Sequence, residues 1–294
     1  MDRYELLKRI ATFPLLAPSL AEGLLAGDLR SVFKGQGIEA DEVRHYELGD
    51  DIRSIDWNVS ARFGTPYVKL YREEREMMVS LVLDCSASMH TGGGPLSRYD
   101  QAVLTTALMA FSAEQAGQRV GTVFFNQGIT QVFPPRKGRS HIMAMISGAL
   151  SAPVGGRSSD LGAALTGVGR LLKRRSLVVI ISDFFCVHWE QELGDLRRKH
   201  DVLAIRISDP LDEHLSGLGL ITMEDPETGR RYHVPAGFAS FRAAWSAWHE
   251  DRLAVWKSLC RRAGVACLEL STTDDAPASL IRFFGGWGER RGSR

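Results

Sequence analysis

Three oxygen-bearing side chains stand close together in the loop that follows Leu83. Asp84, Ser86 and Ser88 are spaced at i, i+2 and i+4, so their oxygens can converge on one point within a tight loop. Mg²⁺ is a hard cation that takes oxygen ligands in near-octahedral geometry and keeps several waters. One carboxylate and two neutral hydroxyls suit that preference and would leave the metal electrophilic toward an added anion. The loop therefore predicts a weak Mg²⁺ site.

Two later segments are expected to reach the same point. The stretch Gly155–Leu161 holds Ser158 and Ser159 just before a helical pattern, and Asp183 follows a later apolar run. In an open α/β sheet, ligands bind in the crevice outside the carboxyl ends of the strands, at the switch point of the topology. If the strands before Asp84 and Asp183 are neighbours there, both carboxylates face one crevice.

Apolar runs rich in β-branched residues recur at intervals suited to βα units. Each run is nearly continuous in hydrophobicity, which is typical of strands in a parallel sheet covered by helices on both faces. A short run after the Asn126-Gln127-Gly128 turn is expected to return as an antiparallel edge. The pattern predicts an α/β doubly wound layout, with a central, mostly parallel sheet flanked by helices. The predicted strands are Val79–Leu83, Val120–Phe125, Ile129–Phe133, Leu177–Ile181, Val202–Ile207 and Val265–Leu270, and the predicted helices are Tyr99–Gln115, Met143–Leu150 and Leu161–Leu172.

Two segments do not follow the alternation of strands and helices. Residues 35–75 are strongly charged, with strands expected at Glu42–Tyr46 and Tyr67–Tyr71. Residues 218–234 predict a hairpin that turns at residues 225–229. A long helix follows, and the spacing of its aromatic residues predicts packing against the sheet in preference to a ligand box. These aromatic residues are Phe238, Phe241, Trp245, Trp248 and Trp256.

Composition is typical of a soluble globular protein. Hydrophobic residues make up 44% and charged residues 24%, and the formal net charge is +1, so nothing global steers the chain toward nucleic acid or anionic lipid. The four cysteines form no C-x-x-C pair and have no nearby His at zinc-ligand spacing, which favours reduced thiols. We find no signal peptide and no apolar run of the roughly 20 residues that a membrane-spanning helix needs. We therefore expect a cytoplasmic protein with no nucleic-acid partner and no membrane insertion.

The three oxygen-rich segments resemble the metal-site motifs of von Willebrand factor A domains. Their order and spacing match that family across about residues 77–271. The resemblance implies a Rossmann-like domain that binds Mg²⁺, or Mn²⁺ in its place, through a metal-ion-dependent adhesion site. The family pattern usually has Thr at the position of Ser159, and Ser lacks the β-branch that stiffens the Thr rotamer. Metal binding is therefore expected to be weaker, with Ser158 as an alternative ligand. The implied ligands are Asp84, Ser86, Ser88, Ser159 and Asp183.

A charged segment upstream, residues 44–62, closely resembles the signature of the domain-of-unknown-function 58 family. Von Willebrand A domains in general lack this segment. Members of the family are often encoded beside MoxR-type AAA+ ATPases, so the resemblance implies an adaptor or co-chaperone that works with such an ATPase or its client. Charges of alternating sign predict an ion-pair lattice that fixes the segment to the domain. The signature residues are Arg44, Tyr46, Gly49, Asp50, Arg53, Asp56, Trp57 and Arg62.

These features predict an organisation and a function. Residues 1–75 are expected to form an N-terminal helical and β-rich extension, residues 76–272 a von Willebrand A-like domain with the hairpin inserted, and residues 273–294 a C-terminal helix and tail. We expect a non-enzymatic module that binds a partner protein's Glu or Asp through Mg²⁺. Two alternatives stay open: a structural scaffold with a vestigial site, and a metal-dependent phosphohydrolase. The hydrolase is disfavoured because Ser86 stands where such chemistry uses a second acid.

Overall fold

The computed structural model describes residues 3–26, 43–47, 49–69, 77–152, 159–215 and 219–289. The helices, in chain order, are α1 (Arg3–Ala26), α2 (Trp57–Phe63), α3 (Arg98–Gln115), α4 (Arg139–Ser151), α5 (Leu161–Leu171), α6 (Glu190–Lys199), α7 (Pro210–Glu213), α8 (Ala239–Ala263) and α9 (Ala276–Glu289). The strands are β1 (Val43–His45), β2 (Tyr67–Lys69), β3 (Met78–Asp84), β4 (Arg119–Phe125), β5 (Ile129–Arg136), β6 (Leu177–Ser182), β7 (Asp201–Ser208), β8 (Ile221–Glu224), β9 (Arg231–Val234) and β10 (Ala266–Ser271). Short 3₁₀ turns lie at Ile52–Ser54 and Ala87–His90.

Six of these strands form the central sheet of the described chain, in the order β10-β7-β6-β3-β4-β5. All neighbours pair in parallel except β4 and β5, which are antiparallel. The chain leaves β3 for β4 on one side and later returns to β6 on the other side. The switch point therefore lies between β3 and β6, which is where such sheets bind ligands. The predicted α/β layout and its antiparallel edge are confirmed.

Apolar side chains cover both faces of the sheet, as the continuous hydrophobic runs predict. Every residue of β6 and β7 is buried. In β3, Leu81 and Leu83 join the layer under α3 and α4, while Val82 between them joins the opposite layer, which includes residues of α5, α6 and α8. This alternation follows from the two-residue period of a strand.

The N-terminal helix α1 is part of the core. Six apolar side chains at helical spacing are buried on one of its faces, where it packs against α3 and α9. The helix continues through Pro14 and Pro18, although each interior proline removes a hydrogen bond and costs about 3 kcal/mol. Burial of the stripe offsets that cost. The buried residues are Leu6, Ile10, Phe13, Ala17, Leu20 and Ala21. Among the described helices, none has both the length and the apolar character needed to cross a membrane.

The long helix α8 corrects one prediction. Trp256 is buried and contacts Phe184, but Phe238 is 68% exposed and Trp248 is 49% exposed. The first half of the helix therefore does not pack its aromatic face on the sheet. It lies beside α7 instead, where the Trp245 indole N–H donates to the Leu211 carbonyl at 3.0 Å. Aromatic spacing predicted one continuous buried face, whereas only part of the helix contacts the sheet.

Two small antiparallel pairs lie outside the central sheet. Strands β8 and β9 form the predicted hairpin, in which Ile221 faces Val234. Strands β1 and β2 pair in the charged N-terminal segment. The strand predicted as far as Tyr71 is described only to Lys69, and residues 70–76 lie outside the described chain. Helix α9 runs past Phe284, so the stretch predicted as a tail is helical as far as residue 289.

Candidate functional site

Strands β3 and β6 bring the two predicted aspartates to the same edge of the sheet. The strands are parallel neighbours in which Leu83 lies opposite Ile181, so Asp84 and Asp183 both follow at the carboxyl ends. Both carboxylates are buried, with exposures of 0% and 1%. Strands β3 and β6 are therefore neighbours, as a site that uses both aspartates requires.

The loop after β3 bends back on the Asp84 carboxylate. The Ser86 N–H donates to Asp84 Oδ1 at 2.9 Å, and the Ser86 and Ser88 hydroxyl oxygens lie 3.1 Å apart. A 3₁₀ turn begins after Ser86, but the Ser86 hydroxyl accepts no capping hydrogen bond from it. Local capping, the ordinary role of Ser at such a position, therefore does not account for this hydroxyl.

The second loop reaches the same carboxylate. The Ser159 hydroxyl donates to Asp84 Oδ2 at 3.1 Å, and the Asp160 N–H donates to the Asn126 carbonyl at 2.8 Å, which ties the loop to the end of β4. Asp160 also caps α5 by accepting from the Ala163 N–H at 2.8 Å. The alternative ligand Ser158 lies outside the described residues, so its role stays a prediction.

Ser182 is a contact that sequence reasoning missed. Its hydroxyl donates to Asp84 Oδ2 at 2.7 Å and accepts from the Phe184 N–H at 3.0 Å. It therefore holds the Asp84 carboxylate toward the site and links β6 to β3. The available signal was its place as a polar residue at the end of an apolar strand, immediately before Asp183.

Only one oxygen of the Asp183 carboxylate accepts a hydrogen bond from a described residue. Its Oδ1 accepts from the Phe185 N–H at 3.0 Å, whereas its buried Oδ2 has no hydrogen-bond partner among the described residues. The next residue, Phe184, has a left-handed backbone with φ of 54°, which is uncommon for a bulky side chain. The Phe184 ring is buried and contacts Trp189 and Trp256, each at a centroid distance of 5.4 Å. Aromatic packing thus holds a strained turn directly after the aspartate.

Burial of two neighbouring carboxylates makes their charged forms unfavourable. Desolvation, and then repulsion from Asp183, raises the pKa of Asp84 to about 6, although hydrogen bonds from Ser182 and Ser86 oppose the change. Desolvation also raises the pKa of Asp183, against the N–H of Phe185 and the charge of Arg98. A divalent cation at this edge would relieve both effects.

Arg98, also missed by sequence reasoning, lies beside this edge. It is 6% exposed and forms an ion pair with Asp212. Its guanidinium carbon lies 5.7 Å from the centre of the Phe185 ring, and those of Arg206 and Arg252 lie 5.7 and 5.0 Å from the same centre. The edge is therefore carboxylate-rich around Asp84 and Asp183 and cationic around Phe185.

The nearby thiols are unsuited to nucleophilic chemistry. Burial is the main cause that raises the pKa of both Cys85 and Cys186 to about 12, and the charge of Asp84 contributes at each. The reactive form of cysteine is the thiolate, which is negligible at neutral pH for such groups. Cys85 is buried and Cys186 is half-buried, and both are free cysteines.

A metal at this edge would depend on hydroxyls as well as carboxylates. Within the part of the chain that the structure describes, no group of three His, Cys, Asp or Glu side chains is arranged to hold a metal ion. The oxygens that converge are two carboxylates and the hydroxyls of Ser86, Ser88 and Ser159. Such a set of hard donors fits Mg²⁺ and does not fit a softer metal that prefers nitrogen or sulfur.

Comparison with known proteins places the chain in a family. A family model described as "Protein of unknown function DUF58" matches residues 42–254. The chain belongs to this family. Uncharacterised proteins of Mycobacterium tuberculosis and Mycobacterium bovis are each 33% identical to it over 300 residues, which cover 100% of this chain and 92% of theirs.

Two solved structures resemble the DUF58 chain. One is an aerotolerance-related membrane protein from Bacteroides fragilis, with a TM-score of 0.49 and 13% identity over 70% of this chain and 96% of that one. The other is the conserved hypothetical protein BatB from Bacteroides thetaiotaomicron, with a TM-score of 0.47 and 14% identity over 72% of this chain and 98% of that one.

The DUF58 match includes the charged segment 44–62, whose described contacts include ion pairs and helix caps. Arg44 pairs with Asp50 at 2.5 Å and lies 3.8 Å from Glu47. Asp51 and Asp56 each cap a short helix by accepting backbone N–H bonds. Gly49 has a φ of 119°. Tyr46 is half-buried, and its N–H donates to the Pro66 carbonyl. The side chains of Arg53, Trp57 and Arg62 are exposed. Cap formation therefore gives Asp51 and Asp56 a structural role, and an ion pair gives one to Arg44 and Asp50.

The Glu227 side chain, in the turn of the β8–β9 hairpin, is half-buried. Burial, followed by the charges of Asp183 and Asp84, raises the pKa of its carboxyl to about 7. Sequence reasoning placed Glu227 in a turn and gave it no role.

Proposed function

We propose that this DUF58 chain is a von Willebrand factor A-type protein-binding module that holds Mg²⁺ between Asp84 and Asp183. One observation carries the proposal. Two adjacent parallel strands deliver two buried carboxylates to a single edge, and Asp183 Oδ2 has no hydrogen-bond partner among the described residues. An unpaired buried carboxylate oxygen is costly unless another group satisfies it. A hard cation is the group that the surrounding oxygens favour.

The proposed ligands are the hydroxyls of Ser86, Ser88 and Ser159, with Asp84 and Asp183 acting directly or through water. When bound, the metal supplies an electrophilic centre for a carboxylate oxygen of a partner. Ser182 acts as a positioning residue, because its hydroxyl fixes Asp84 Oδ2. A Glu or Asp side chain is the natural addition, since it provides both the charge and the hard oxygen that Mg²⁺ prefers.

The family resemblance suggests the class of partner. A MoxR-type AAA+ ATPase, or its client, is the partner that we propose. The cationic surroundings of Phe185, formed by Arg98, Arg206 and Arg252, support the approach of an acidic side chain to this edge. Electrostatic complementarity of this kind raises association rates and helps to select the partner.

A phosphohydrolase is a weaker candidate. A phosphoryl-transfer aspartate usually works with a second acid two residues later, and Ser86 occupies that position. The neighbouring thiols are protonated and give no replacement nucleophile. The scaffold alternative predicts no metal binding at all, so a binding measurement separates it from the proposal.

Isothermal titration of purified protein with Mg²⁺ or Mn²⁺ tests the metal site. We expect wild type to bind the metal and Asp84→Ala and Asp183→Ala to lose binding while keeping their circular dichroism spectra. Asp195→Ala is the matched control, because Asp195 is an exposed residue of α6. Wild-type affinity in both site variants, or no binding by wild type, would refute the proposal.

A pull-down with a tagged MoxR-type ATPase from the native host tests the partner. Binding should require divalent metal, so EDTA should release the ATPase. The double variant Ser86→Ala, Ser88→Ala should also fail to retain it. Retention of the ATPase in both conditions would remove the metal from the interface.

A further inference from the structure

Three guanidinium groups from three different elements surround the Phe185 ring, and we call this group of four side chains the Phe185 cluster. Arg98 belongs to α3, Arg206 to β7 and Arg252 to α8. Their guanidinium carbons lie 5.7, 5.7 and 5.0 Å from the centre of the ring. Positive charges gathered around one ring repel one another, so an anion among them would stabilise the cluster.

Arg206 is a buried cation without an ion-pair partner among the described residues. It is 5% exposed, its Nε has no hydrogen-bond partner there, and its guanidinium forms no ion pair with that part of the chain. Glu269 lies in register with it on β10 but pairs with Lys257 at 3.1 Å. Burial lowers the pKa of Arg206, and nearby carboxylates, first Glu269, offset that effect only in part. A buried charge without a partner is costly, so a bound anion would relieve that cost.

The other two guanidinium groups are held by different contacts. Arg98 forms an ion pair with Asp212. Arg252 donates to the Phe185 carbonyl at 3.3 Å, and its guanidinium carbon lies 5.0 Å from the centre of the Trp248 ring. Neither of these contacts gives Arg252 a negative partner. Within the described chain, the cluster therefore has three guanidinium groups and one carboxylate that is ion-paired with them.

His249 adds a buried hydrogen-bonding group beside the cluster. The centre of its ring lies 6.0 Å from that of Phe185. It is 5% exposed, and neither ring nitrogen has a hydrogen-bond partner among the described residues. Burial lowers the pKa of His249 to about 4, so the ring is neutral at neutral pH and has one N–H to donate. Phe185 and Arg252 are half-buried and Trp248 is 49% exposed, so a ligand can reach the cluster from solvent.

We propose that the Phe185 cluster is a pocket that binds a carboxylate of an acidic peptide segment. Arg206 and Arg252 would donate to the carboxylate oxygens, and His249 would donate a further N–H. A carboxylate suits the pocket better than a phosphate, because the Asp212 carboxylate beside it would repel a second negative charge. The pocket needs no Mg²⁺, so this inference goes beyond the proposed function and does not depend on it. A partner that also binds the metal would present two acidic side chains.

Fluorescence polarisation in EDTA tests the pocket with a fluorescein-labelled hexaglutamate peptide. Wild type should bind hexaglutamate and should not bind hexaglutamine, its uncharged match. Arg252→Gln should weaken the binding about 10-fold, because it removes a charged hydrogen-bond donor. Arg206→Met, which keeps an unbranched stem in the buried position, should give a similar loss. Arg262→Gln is the matched control, since Arg262 is an exposed residue of the same helix about 15 Å further along its axis.

Each alternative outcome has a distinct meaning. Equal affinity of wild type and Arg252→Gln for hexaglutamate would overturn the pocket, whether or not Arg206→Met folds. An equal loss in Arg262→Gln would also overturn it, because the effect would then be one of net charge. Inorganic phosphate that displaces the peptide more strongly than acetate does would overturn the carboxylate in favour of a phosphate. Because all these measurements are made in EDTA, failure of the proposed metal site would leave their result unchanged.

Discussion

Replacing Asp183 by Asn should stabilise the metal-free protein while removing its response to Mg²⁺. The side chain is buried, its Oδ1 accepts from the Phe185 N–H, and its Oδ2 has no hydrogen-bond partner among the described residues. Asn keeps the shape and the Oδ1 acceptor. It also replaces that buried carboxylate oxygen by the nitrogen of a neutral amide.

The magnitude follows from the unsatisfied atom. A buried polar group without a partner costs about 1–3 kcal/mol, and more when it is charged. The raised pKa of Asp183, caused first by burial, shows that its charged form is the unfavourable one. We therefore expect the free energy of unfolding in EDTA to increase by about 1–3 kcal/mol. Wild type should gain about 1.4 kcal/mol from Mg²⁺ at about ten times its dissociation constant, and Asp183→Asn should gain nothing.

Urea unfolding at neutral pH, followed by circular dichroism in EDTA and in Mg²⁺, measures both quantities. The expected result is that Asp183→Asn is more stable than wild type in EDTA and gains no stability from Mg²⁺. Lower stability of Asp183→Asn in EDTA would mean that the carboxylate is a structural acceptor. An unchanged gain from Mg²⁺ in the variant would show that Asp183 is not a ligand. Either result would refute the reasoning.

Three further predictions concern pH, a helix cap and a close backbone approach. Folding raises the pKa of Asp84 from 3.8 to about 6. The contribution of Asp84 to the stability of the folded protein is therefore fully present below about pH 4 and is lost as pH rises through about 6. Urea titrations of wild type and Asp84→Asn should therefore show a difference that changes by on the order of 3 kcal/mol over this range. Asp56→Ala should cost about 1 kcal/mol in urea unfolding, since Asp56 caps α2 by accepting from the N–H groups of Asn58 and Val59. Gly121→Ala should cost about 1–3 kcal/mol, because a Cβ there would lie 2.6 Å from the Phe133 carbonyl oxygen.

Each of these predictions has a control. Histidines such as His249, whose pKa burial lowers to about 4, titrate in the same pH range with the opposite effect on stability. The pH prediction therefore compares the stability of wild type with that of Asp84→Asn. A stability difference between wild type and Asp84→Asn that does not change with pH would contradict the pH prediction. Asp56→Asn keeps a capping side chain and should stay near wild type, and a cost of several kcal/mol in Asp56→Ala would restore the ion-pair lattice. Gly128→Ala meets open space, so it should change stability by less than about 0.5 kcal/mol. Equal effects of both glycine substitutions would show that β5 can move away.

The strand segments along the chain and the carboxylates at their ends could be predicted because both depend on local patterns. Strands buried on both faces must be apolar throughout, so β3 and β6 are visible as continuous runs, and the residues just beyond them must lie at the sheet edge. Asp84 and Asp183 were therefore predictable together. The Asp225–Gly229 turn was equally visible, since Asp and Gly favour such a backbone for reasons internal to the turn.

Contacts between segments that are distant in sequence were not visible in the same way. The hydrogen bond from Ser182 to Asp84 and the exposure of Phe238 and Trp248 depend on where whole elements pack. A polar residue at the end of an apolar strand has the same local sequence whether its side chain meets solvent or a carboxylate. The residues of this chain thus determined which groups stand at the edge of the sheet. Only the pairing of β6 with β3 decided that the Ser182 hydroxyl holds the Asp84 carboxylate.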